Sequence, residues 1–560
     1  MKKITYLFLG SLTALLCQTS CYDDNSTLAT ENIGNVGFDG NQTELYIGFQ
    51  ETLKVAPSLQ LAEGTAVDAL TYEWALTETY GSTNNEYEII STEQELNWIM
   101  DRPIASAPYT LKLTITDTAH DDLKYIYAWK VYVQSSFLDG LLICDTQDGQ
   151  TSDLTLINNS SFTVNYSKEE HIFRNMLTTA TGAPYDGLIQ TLVYQLQGSM
   201  SSTHTNQVWA LTDRGDCVRF KCVDYSVNGR MSDESLFVDQ AAGMQVYSIF
   251  KSYQDIYALT NNSIYSVTPT NANRFNSPTN SLKSYRVSNN VVANSPNTSY
   301  SANYLVSYSN NHANFYDDEK GQFITLSGMG TYTQVQTFAA SMNFDPNNLP
   351  GQTAVAGVVF EDATQVVFLL KDNASGNYSI YTLSTYVSED GYYLDPDNWS
   401  GWTVITPEQP AAAKSKYAIP AEGKTLLDKA ISVFFSNKNL VLYVATSEGI
   451  YAINYGAGTT ATVATTAKFA PSGGETVVKA KMYQQGIYLH DLGAILGSYA
   501  TVPELPLSNN SVMVATQTSA NEGKVYVIPI TQAAAGTLDA SQAKIYTGFG
   551  KILDMTGTGY

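Results

Sequence analysis

The amino-acid sequence predicts an all-β protein, and three observations support this prediction. Apolar and polar residues alternate with a period of two in several short segments, which is the pattern of half-buried strands. A phrase of two such strands around a polar turn recurs through the C-terminal part of the chain. Charged residues form only 15% of the 560 residues, and Tyr occurs 39 times. This balance is typical of a β-rich extracellular protein rather than a helical cytosolic enzyme.

Residues 1–20 form a predicted signal peptide. Two lysines precede an almost wholly apolar run that ends at Leu16. This run is shorter than the roughly 20 apolar residues that cross a bilayer, so we expect cleavage rather than a membrane helix. The small residue Ser20 before Cys21 resembles the lipobox of bacterial lipoproteins, although Gln18 stands where that family prefers Leu. The resemblance implies that Cys21 carries a lipid anchor.

Residues 21–33 form a predicted tether between the lipid and the folded part. The segment is polar and lacks periodicity, as expected for a linker. Asp23 and Asp24, just after Cys21, resemble the surface-export signal of Bacteroidetes lipoproteins. This resemblance implies a protein of the outer membrane that faces the cell exterior.

Residues 34–135 are predicted to form a β-sandwich. Period-two alternation is clearest from Tyr109 to Asp117. A segment of roughly 100 residues with about seven short strands suits an immunoglobulin-like module. The predicted strands include Leu45–Ile47, Leu70–Leu76, Tyr109–Thr116 and Tyr125–Val133.

Two motifs in this module are similar to the PKD family. The stretch from Pro108 to Asp117 is similar to the late strand of that family, and Tyr72-Glu73-Trp74 is similar to its tyrosine-x-tryptophan strand. The usual Gly-Asp-Gly turn after the tryptophan is missing, so the resemblance implies a divergent, PKD-like module. Trp74 is then predicted to lie in the core rather than to bind a ligand.

Residues 137–560 contain the recurring two-strand phrase. An aliphatic and aromatic strand is followed by a polar turn and by a second strand that commonly contains Ile-Tyr or Val-Tyr. The strong copies are Gln207–Thr212 with Cys217–Phe220, Asp255–Thr260 with Ser263–Val267, Gln365–Leu370 with Ser379–Leu383, Leu440–Thr446 with Gly449–Ile453, and Ser511–Thr516 with Lys524–Ile528. Weaker copies lie at Leu141–Ile157 and Tyr304–Leu326.

A repeated antiparallel unit of this spacing predicts a β-propeller with long loops. The length of the segment favours seven blades, and eight remain an alternative. Two end segments, Lys544–Tyr546 and Lys551–Asp554, are candidates to add strands to the first blade and close the ring. A long β-sandwich is the competing fold, but it does not explain the repeat.

The formal charge limits the partners. Thirty basic residues against 53 acidic residues give −23, and the chain without the signal peptide carries −25. Phosphate backbones need clustered Lys and Arg, so nucleic acid is not a predicted partner.

Beyond the N-terminal segment, the chain has three cysteines, Cys144, Cys217 and Cys222. An odd number excludes a complete disulfide framework, and we expect buried free thiols.

No catalytic signature or metal motif occurs in the sequence. The five histidines are isolated, and no nucleophile elbow, P-loop or dinucleotide fingerprint is present. Paired carboxylates from different blades are an alternative, because a glycoside hydrolase needs only two Asp or Glu residues that converge in the fold. No cofactor is predicted; calcium held by acidic loops such as Asp317-Asp318-Glu319 is an alternative without the EF-hand spacing.

The best candidate for ligand binding is the stretch from Gly391 to Trp402. It combines four aromatic rings with acidic and amide groups, which stack on and hydrogen-bond a sugar or peptide. We expect Trp402 to pack between blades. The predicted binding residues are Tyr392, Tyr393, Asp395, Asp397 and Trp399.

The whole arrangement resembles the PKD-like family lipoproteins of gut Bacteroidetes. Such proteins often accompany SusC/SusD-like uptake systems, in which a TonB-dependent transporter imports glycans or peptides. The resemblance therefore implies a non-catalytic binding or accessory protein of such a system. Two alternatives stay open: a propeller glycoside hydrolase or lyase with paired carboxylates, and an adhesion or assembly protein.

Overall fold

The structure is a computed structural model of the chain. It describes the following residues: 43–48, 51–57, 67–77, 86–102, 108–134, 137–164, 166, 169–197, 205–238, 240–252, 255–261, 263–267, 292–293, 313–327, 334–360, 364–385, 410–486 and 504–559. The chain divides into two compact units, Met1–Ser136 and Phe137–Tyr560.

Seven strands form the described part of the first unit. Five of them build one sheet in the order β1-β7-β6-β3-β4, and β2 pairs with β5. Strand β1 runs parallel to β7, and the other pairs are antiparallel. The strands are β1 (Glu44–Gly48), β2 (Thr52–Val55), β3 (Leu70–Thr77), β4 (Tyr87–Ser91), β5 (Leu96–Ile99), β6 (Tyr109–Asp117) and β7 (Leu123–Gln134).

Trp74 lies at the centre of the core of this unit. Its side chain is fully buried, its ring stacks on Trp129 with centroids 5.8 Å apart, and its Nε1 donates to the carbonyl oxygen of Glu93 at 3.0 Å. Leu111 and Leu113 alternate with outward residues of β6 and reach the same core. The prediction that Trp74 is a core residue is confirmed.

The second unit contains seven sheets within the described residues. Each is built from strands that follow one another along the chain, except that the C-terminal strand joins the first sheet. The first sheet has β8 (Gly140–Thr146), β9 (Thr151–Asn158), β10 (His171–Phe173) and β11 (Tyr185–Asp186). The second has β12 (Ile189–Gln197), β13 (Thr205–Thr212), β14 (Cys217–Lys221) and β15 (Val227–Arg230). The third has β16 (Val246–Ser252), β17 (Asp255–Thr260) and β18 (Ile264–Val267).

The remaining sheets repeat this antiparallel pattern. The fourth has β19 (Val292–Ala293), β20 (Asn314–Asp317), β21 (Gln322–Ser327) and β22 (Gln334–Thr337). The fifth has β23 (Gln352–Val359), β24 (Gln365–Asp372), β25 (Tyr378–Ser384) and β26 (Ala412–Ala418). The sixth has β27 (Ser432–Phe435), β28 (Val441–Thr446), β29 (Gly449–Asn454) and β30 (Thr462–Val463). The seventh has β31 (Thr476–Met482), β32 (Ser511–Gln517), β33 (Gly523–Gln532), β34 (Thr537–Leu538) and β35 (Lys544–Phe549).

The C-terminal strand β36 (Lys551–Thr558) closes the ring. It pairs antiparallel with β8 and thereby becomes the inner strand of the first sheet. The inner strands of the other sheets are β12, β16, β19, β23, β27 and β31. Consecutive inner strands contact each other from β31 through β36 to β12 and β16, and from β19 through β23 and β27 to β31. This pairing covers the edge of β8 that would otherwise be open.

One sequence prediction about the closure is wrong. Lys544–Tyr546 does not add to the first sheet, because β35 pairs with β33 of the seventh sheet. The chain changes sheets at Gly550, where a Cβ atom would lie 2.2 Å from the carbonyl oxygen of Thr146. Lys551–Asp554 is the segment that joins the first sheet, as predicted.

The apolar cores lie between successive sheets. Strand residues alternate between the two faces of a sheet, so each sheet supplies side chains to both neighbouring layers. One cluster joins the first and seventh sheets through Leu141, Ile143, Val525 and Val527. Other clusters join the second to the third, the third to the fourth, the fourth to the fifth, the fifth to the sixth and the sixth to the seventh.

Helices are few and short in the described residues. They are α1 (Met176–Thr181), α2 (Ala421–Leu427) and the 3₁₀ segments Val67–Ala69, Ala533–Ala535 and Ala540–Gln542. None of the described helices is long and apolar enough to cross a membrane.

The predicted fold class is confirmed: the chain is all-β, with a β-sandwich module followed by a β-propeller. The blade number stays a prediction, although the described residues form seven sheets. The five strong hairpin copies correspond to β13–β14, β17–β18, β24–β25, β28–β29 and β32–β33. Cys144, Cys217 and Cys222 are buried and free, as expected.

Candidate functional site

A pocket of about 460 Å³ lies at one end of the second sheet. Three segments of the chain meet there: the connection from the first sheet, the β13–β14 turn and the end of β15. We call it the Tyr185 pocket. Its lining residues are Leu177, Thr181, Ala183, Pro184, Tyr185, Asp186, Gly187, Thr212, Arg214, Asp216, Phe220, Val227, Arg230 and Ser232. Its volume is within the range of small-ligand sites.

Helix α1 forms one wall, and Asp153 of β9 holds it in place. The Asp153 carboxylate accepts the backbone N–H of Leu177 at 2.8 Å, and the N–H and hydroxyl of Thr178 at 3.3 and 2.6 Å. A carboxylate at the start of a helix satisfies backbone donors that lack partners within the helix. At the other end, Gly182 adopts the left-handed conformation and donates to the Thr178 carbonyl oxygen at 2.8 Å.

The chain leaves α1 and passes along the first sheet before it enters the second. Tyr185 and Asp186 pair with β9. Gly187 follows at φ +135°, a conformation that favours glycine. The buried hydroxyl of Ser152 donates to the Gly187 carbonyl oxygen at 2.7 Å and accepts the N–H of Ile189 at 3.0 Å. These bonds hold the backbone between Tyr185 and the second sheet against β9.

The turn between β13 and β14 forms the opposite wall. Thr212 and Asp216 exchange backbone and side-chain hydrogen bonds across the turn, and the backbone N–H of Gly215 donates to the Thr212 carbonyl oxygen at 3.1 Å. The Asp216 carboxylate accepts the N–H of Cys217 at 2.7 Å. This geometry leaves part of the Asp216 carboxylate on the pocket side of the turn.

Two arginines bring positive charge to the pocket. Arg214 lies 3.5 Å from the Asp186 carboxylate, and both side chains are well exposed. Such an exposed pair contributes little to stability. The Arg230 guanidinium has no hydrogen-bond or ion-pair partner among the described residues, and only its backbone N–H is bonded, to Asp233 and Ser235. Its donors are therefore available to a ligand.

The pocket environment shifts two protonation equilibria. Burial raises the pKa of Asp216, although the Cys217 N–H and the charge of Arg230 oppose the shift. Burial and the charge of Asp216 raise the pKa of Tyr185 to about 12. At neutral pH the Tyr185 hydroxyl therefore keeps its proton, so it both donates and accepts hydrogen bonds.

The arrangement suits recognition of a polar ligand that also presents an apolar face. The Tyr185 ring stands edge-on to buried Phe220, with centroids 6.5 Å apart. The guanidinium groups donate, the carboxylates accept, and the tyrosine hydroxyl does both. Sugars and peptides present this mixture of hydroxyl, carbonyl, amide and C–H groups.

The residues predicted from the sequence as functional lie outside the described residues. These are Cys21, Asp23, Asp24, Tyr392, Tyr393, Asp395, Asp397 and Trp399, together with Trp402. Sequence reasoning missed the pocket residues. The available signal was the distribution of arginine: three of the seven arginines lie between residues 214 and 230.

The described carboxylates show no metal-binding group of three or more side chains, and histidine and cysteine add none in that part of the chain. Buried Asp317 stabilises the β20–β21 turn through the backbone N–H groups of Glu319 and Lys320. The described inner strands carry one carboxylate, Asp554, which is ion-paired with Lys481. A carboxylate pair on the inner strands is thus not found in the described residues.

The family comparison agrees with the sequence resemblance. Residues 21–187 match the model of the PKD-like family. The match covers the first unit from residue 21 onward. It continues into the first sheet of the propeller as far as Gly187, a residue of the Tyr185 pocket. No curated protein matches the chain.

The chain is also similar to solved structures at low identity. It covers 99% of a Bacteroides uniformis protein described as a candidate 6-phosphogluconolactonase, which covers 75% of this chain with 11% identity and a TM-score of 0.35. For Citrobacter koseri AztD the coverage is 98% of that chain and 88% of this one, with 9% identity and a TM-score of 0.31. The match to BamB of Moraxella catarrhalis covers 95% of that chain and 68% of this one, with 9% identity and a TM-score of 0.27. The match to the PKD-like family, in contrast, concerns residues 21–187.

Proposed function

We propose that this protein is a surface-exposed, lipid-anchored lipoprotein of the outer membrane that binds a glycan or peptide in the Tyr185 pocket. It acts as a non-catalytic component of a SusC/SusD-like uptake system with a TonB-dependent transporter. The PKD-like module serves as a spacer, and the propeller serves as the binding platform.

The observation that carries the binding role is the chemistry of the Tyr185 pocket. The Arg230 guanidinium offers donors without a protein partner in the described residues. The Asp216 carboxylate lines the pocket and offers acceptor capacity beyond the 2.7 Å hydrogen bond that its Oδ1 accepts from the Cys217 N–H. Tyr185 and Phe220 add aromatic surface. A pocket that combines aromatic surface with a few convergent polar groups is the usual form of a ligand site.

The N-terminal sequence supports the anchor. The PKD-like family match begins at residue 21, the residue predicted to carry the lipid. Cleavage before Cys21 would place the acidic pair Asp23 and Asp24 two and three residues after the lipid-bearing Cys21. Intact-mass measurement of the protein from its own membrane tests this step. A diacylglyceryl-modified Cys21 at the N-terminus supports the anchor, and an unmodified chain with an earlier or later cleavage contradicts it.

Titration of the purified full chain with glycan and peptide libraries tests the pocket. We expect Tyr185→Ala and Arg230→Ala each to weaken binding of any identified ligand by at least about tenfold, as for central residues of a binding site. Arg174→Ala is the matched control, because Arg174 is exposed and donates to backbone carbonyls of Thr547 and Gly548 outside the pocket. Unchanged affinity in both pocket variants would refute the assignment.

One observation favours a second candidate, a glycoside hydrolase or lyase. Asp186 and Asp216 line the same pocket, and burial raises the pKa of Asp216, as a general acid requires. Polysaccharide cleavage by the wild type that is lost in Asp216→Asn would establish this function. Binding without cleavage in the wild type would leave the accessory role as the better account.

A further inference from the structure

The inner strands of the propeller carry a charge opposite to that of the chain as a whole. They contain four lysines, Lys251, Lys479, Lys481 and Lys551, and a single carboxylate, Asp554. The described inner strands therefore have a formal charge of +3, whereas the chain carries −23. An excess of charges of one sign attracts counter-ions.

Asp554 is fully engaged by groups from the two neighbouring inner strands. It is 1% exposed, and its carboxylate accepts the backbone N–H of Leu192 at 2.7 Å. The Lys481 Nζ atom lies 3.0 and 3.1 Å from its two oxygens. One carboxylate thus faces two ammonium groups, because Lys479 is also nearby at 3.8 Å.

Lys479 is held only loosely. Its Nζ atom reaches the carbonyl oxygen of Gln190 at 3.4 Å, and its ion pair with Asp554 is long. Each ammonium has three N–H donors, and the described contacts of these two lysines do not use all of them. The side chains of Lys479 and Lys481 are 32% and 30% exposed, so the remaining donors are reachable from solvent.

Lys479, Lys481 and Asp554 together carry a net formal charge of +1. Burial lowers the pKa of Lys481, and the positive charge of Lys479 lowers it further, while Asp554 opposes both effects. A second anion beside the lysines would stabilise their charged forms in the way that Asp554 does. An oxyanion suits the available N–H donors better than a halide, since it accepts several directed hydrogen bonds.

We propose that Lys479 and Lys481 form a binding site for a small oxyanion, a carboxylate or phosphate group, on the inner strands of the propeller. The site is separate from the Tyr185 pocket and shares no lining residue with it. It does not depend on the proposed binding function of that pocket.

Calorimetric titration of the full chain with inorganic phosphate, and separately with acetate, tests the proposal. We expect Lys479→Gln to weaken phosphate binding by at least about fivefold, since it removes one of two charges. This variant keeps the Lys481–Asp554 pair, so we expect it to fold. Lys424→Gln is the matched control: its side chain is also 32% exposed and also pairs with an aspartate, Asp428, but on helix α2. It should leave phosphate binding unchanged.

The result that would overturn the proposal is equal phosphate affinity in the wild type and Lys479→Gln, or no heat of binding from either probe. Equal losses in Lys479→Gln and Lys424→Gln would also overturn it, since they would indicate general surface attraction. Tighter binding of phosphate than of acetate would assign the site to phosphate groups, and the reverse order would assign it to carboxylates. Asp554→Asn, where folded, should bind phosphate several times more tightly, because it removes the competing anion.

Discussion

Asp554 and Lys481 form an ion pair across the seam of the propeller, with Nζ 3.0 Å from Oδ1. Asp554 lies on the C-terminal strand β36, and Lys481 lies on β31 of the preceding sheet. The same carboxylate accepts the backbone N–H of Leu192 on β12 at 2.7 Å. One buried aspartate therefore links three consecutive inner strands where the ends of the ring meet.

Asp554→Asn should destabilise the second unit. The substitution leaves two lysines without a buried counter-charge, which costs about 3 kcal/mol in comparable pairs. Chemical denaturation followed by circular dichroism measures the change in the free energy of unfolding. Asp428→Asn is the control, because Asp428 pairs with Lys424 but is 39% exposed. Equal losses in the two variants would contradict a special role of the seam.

Removal of residues 551–560 should abolish cooperative unfolding of the propeller. Strand β36 supplies the inner strand of the first sheet, and without it β8 becomes an open edge. Ile552 and Met555 would also leave the core between the first and seventh sheets. Calorimetry of the shortened chain tests this expectation. A single sharp transition at the wild-type temperature would show that β36 is dispensable.

Glu475 should make stability depend on pH in the acid range. Burial alone would raise the pKa of Glu475, but hydrogen bonds from Lys524, Thr516 and Tyr526 outweigh it and leave the pKa lowered. The folded state thus favours the ionised form, and this contribution is present above the unfolded pKa and lost as the pH falls through the folded one. Glu475→Gln should cost about 2 kcal/mol at neutral pH.

The measurement is the difference in unfolding free energy between the wild type and Glu475→Gln at several pH values. The difference should shrink between about pH 5 and pH 3. A difference that stays constant, or that grows as the pH falls, would show that the hydrogen-bond network does not act through the charge of Glu475.

The three propeller cysteines should react slowly with thiol reagents in the folded protein. Burial raises the pKa of Cys144, Cys217 and Cys222, so little reactive thiolate forms at pH 8. In a lipid-free chain that starts after Cys21, we expect all three thiols to react with the reagent only after denaturation. Rapid reaction of any one thiol in the native protein would indicate local opening near that residue.

The sequence predicts local structure well in this protein because strand alternation is a local property. The alternation from Tyr109 to Asp117 marks β6, and the repeated phrase marks the central hairpin of each strong copy. The destination of an end strand depends instead on competition between neighbouring sheets. For this reason the sequence predicts the wrong sheet for Lys544–Tyr546 and the correct sheet for Lys551–Asp554.

The Tyr185 pocket is hard to predict for a similar reason. Tyr185 belongs to a connection from the first sheet, Asp216 to a turn, and Arg230 to the end of the outer strand β15. Only the stacking of two sheets brings these residues together. The sequence instead predicts ligand binding by the aromatic stretch that includes Tyr392 and Trp399. This stretch lies outside the described residues. Its binding role stays a prediction.

Gentle solubilisation of native outer membranes, followed by purification through a C-terminal tag and mass spectrometry, tests the central claim most directly. The proposed function predicts recovery of a TonB-dependent transporter and its SusD-like lipoprotein with the wild-type chain, at levels well above those from a tagged, unrelated outer-membrane lipoprotein. Recovery of the chain alone, from a membrane preparation in which the transporter itself stays intact, would contradict the uptake role.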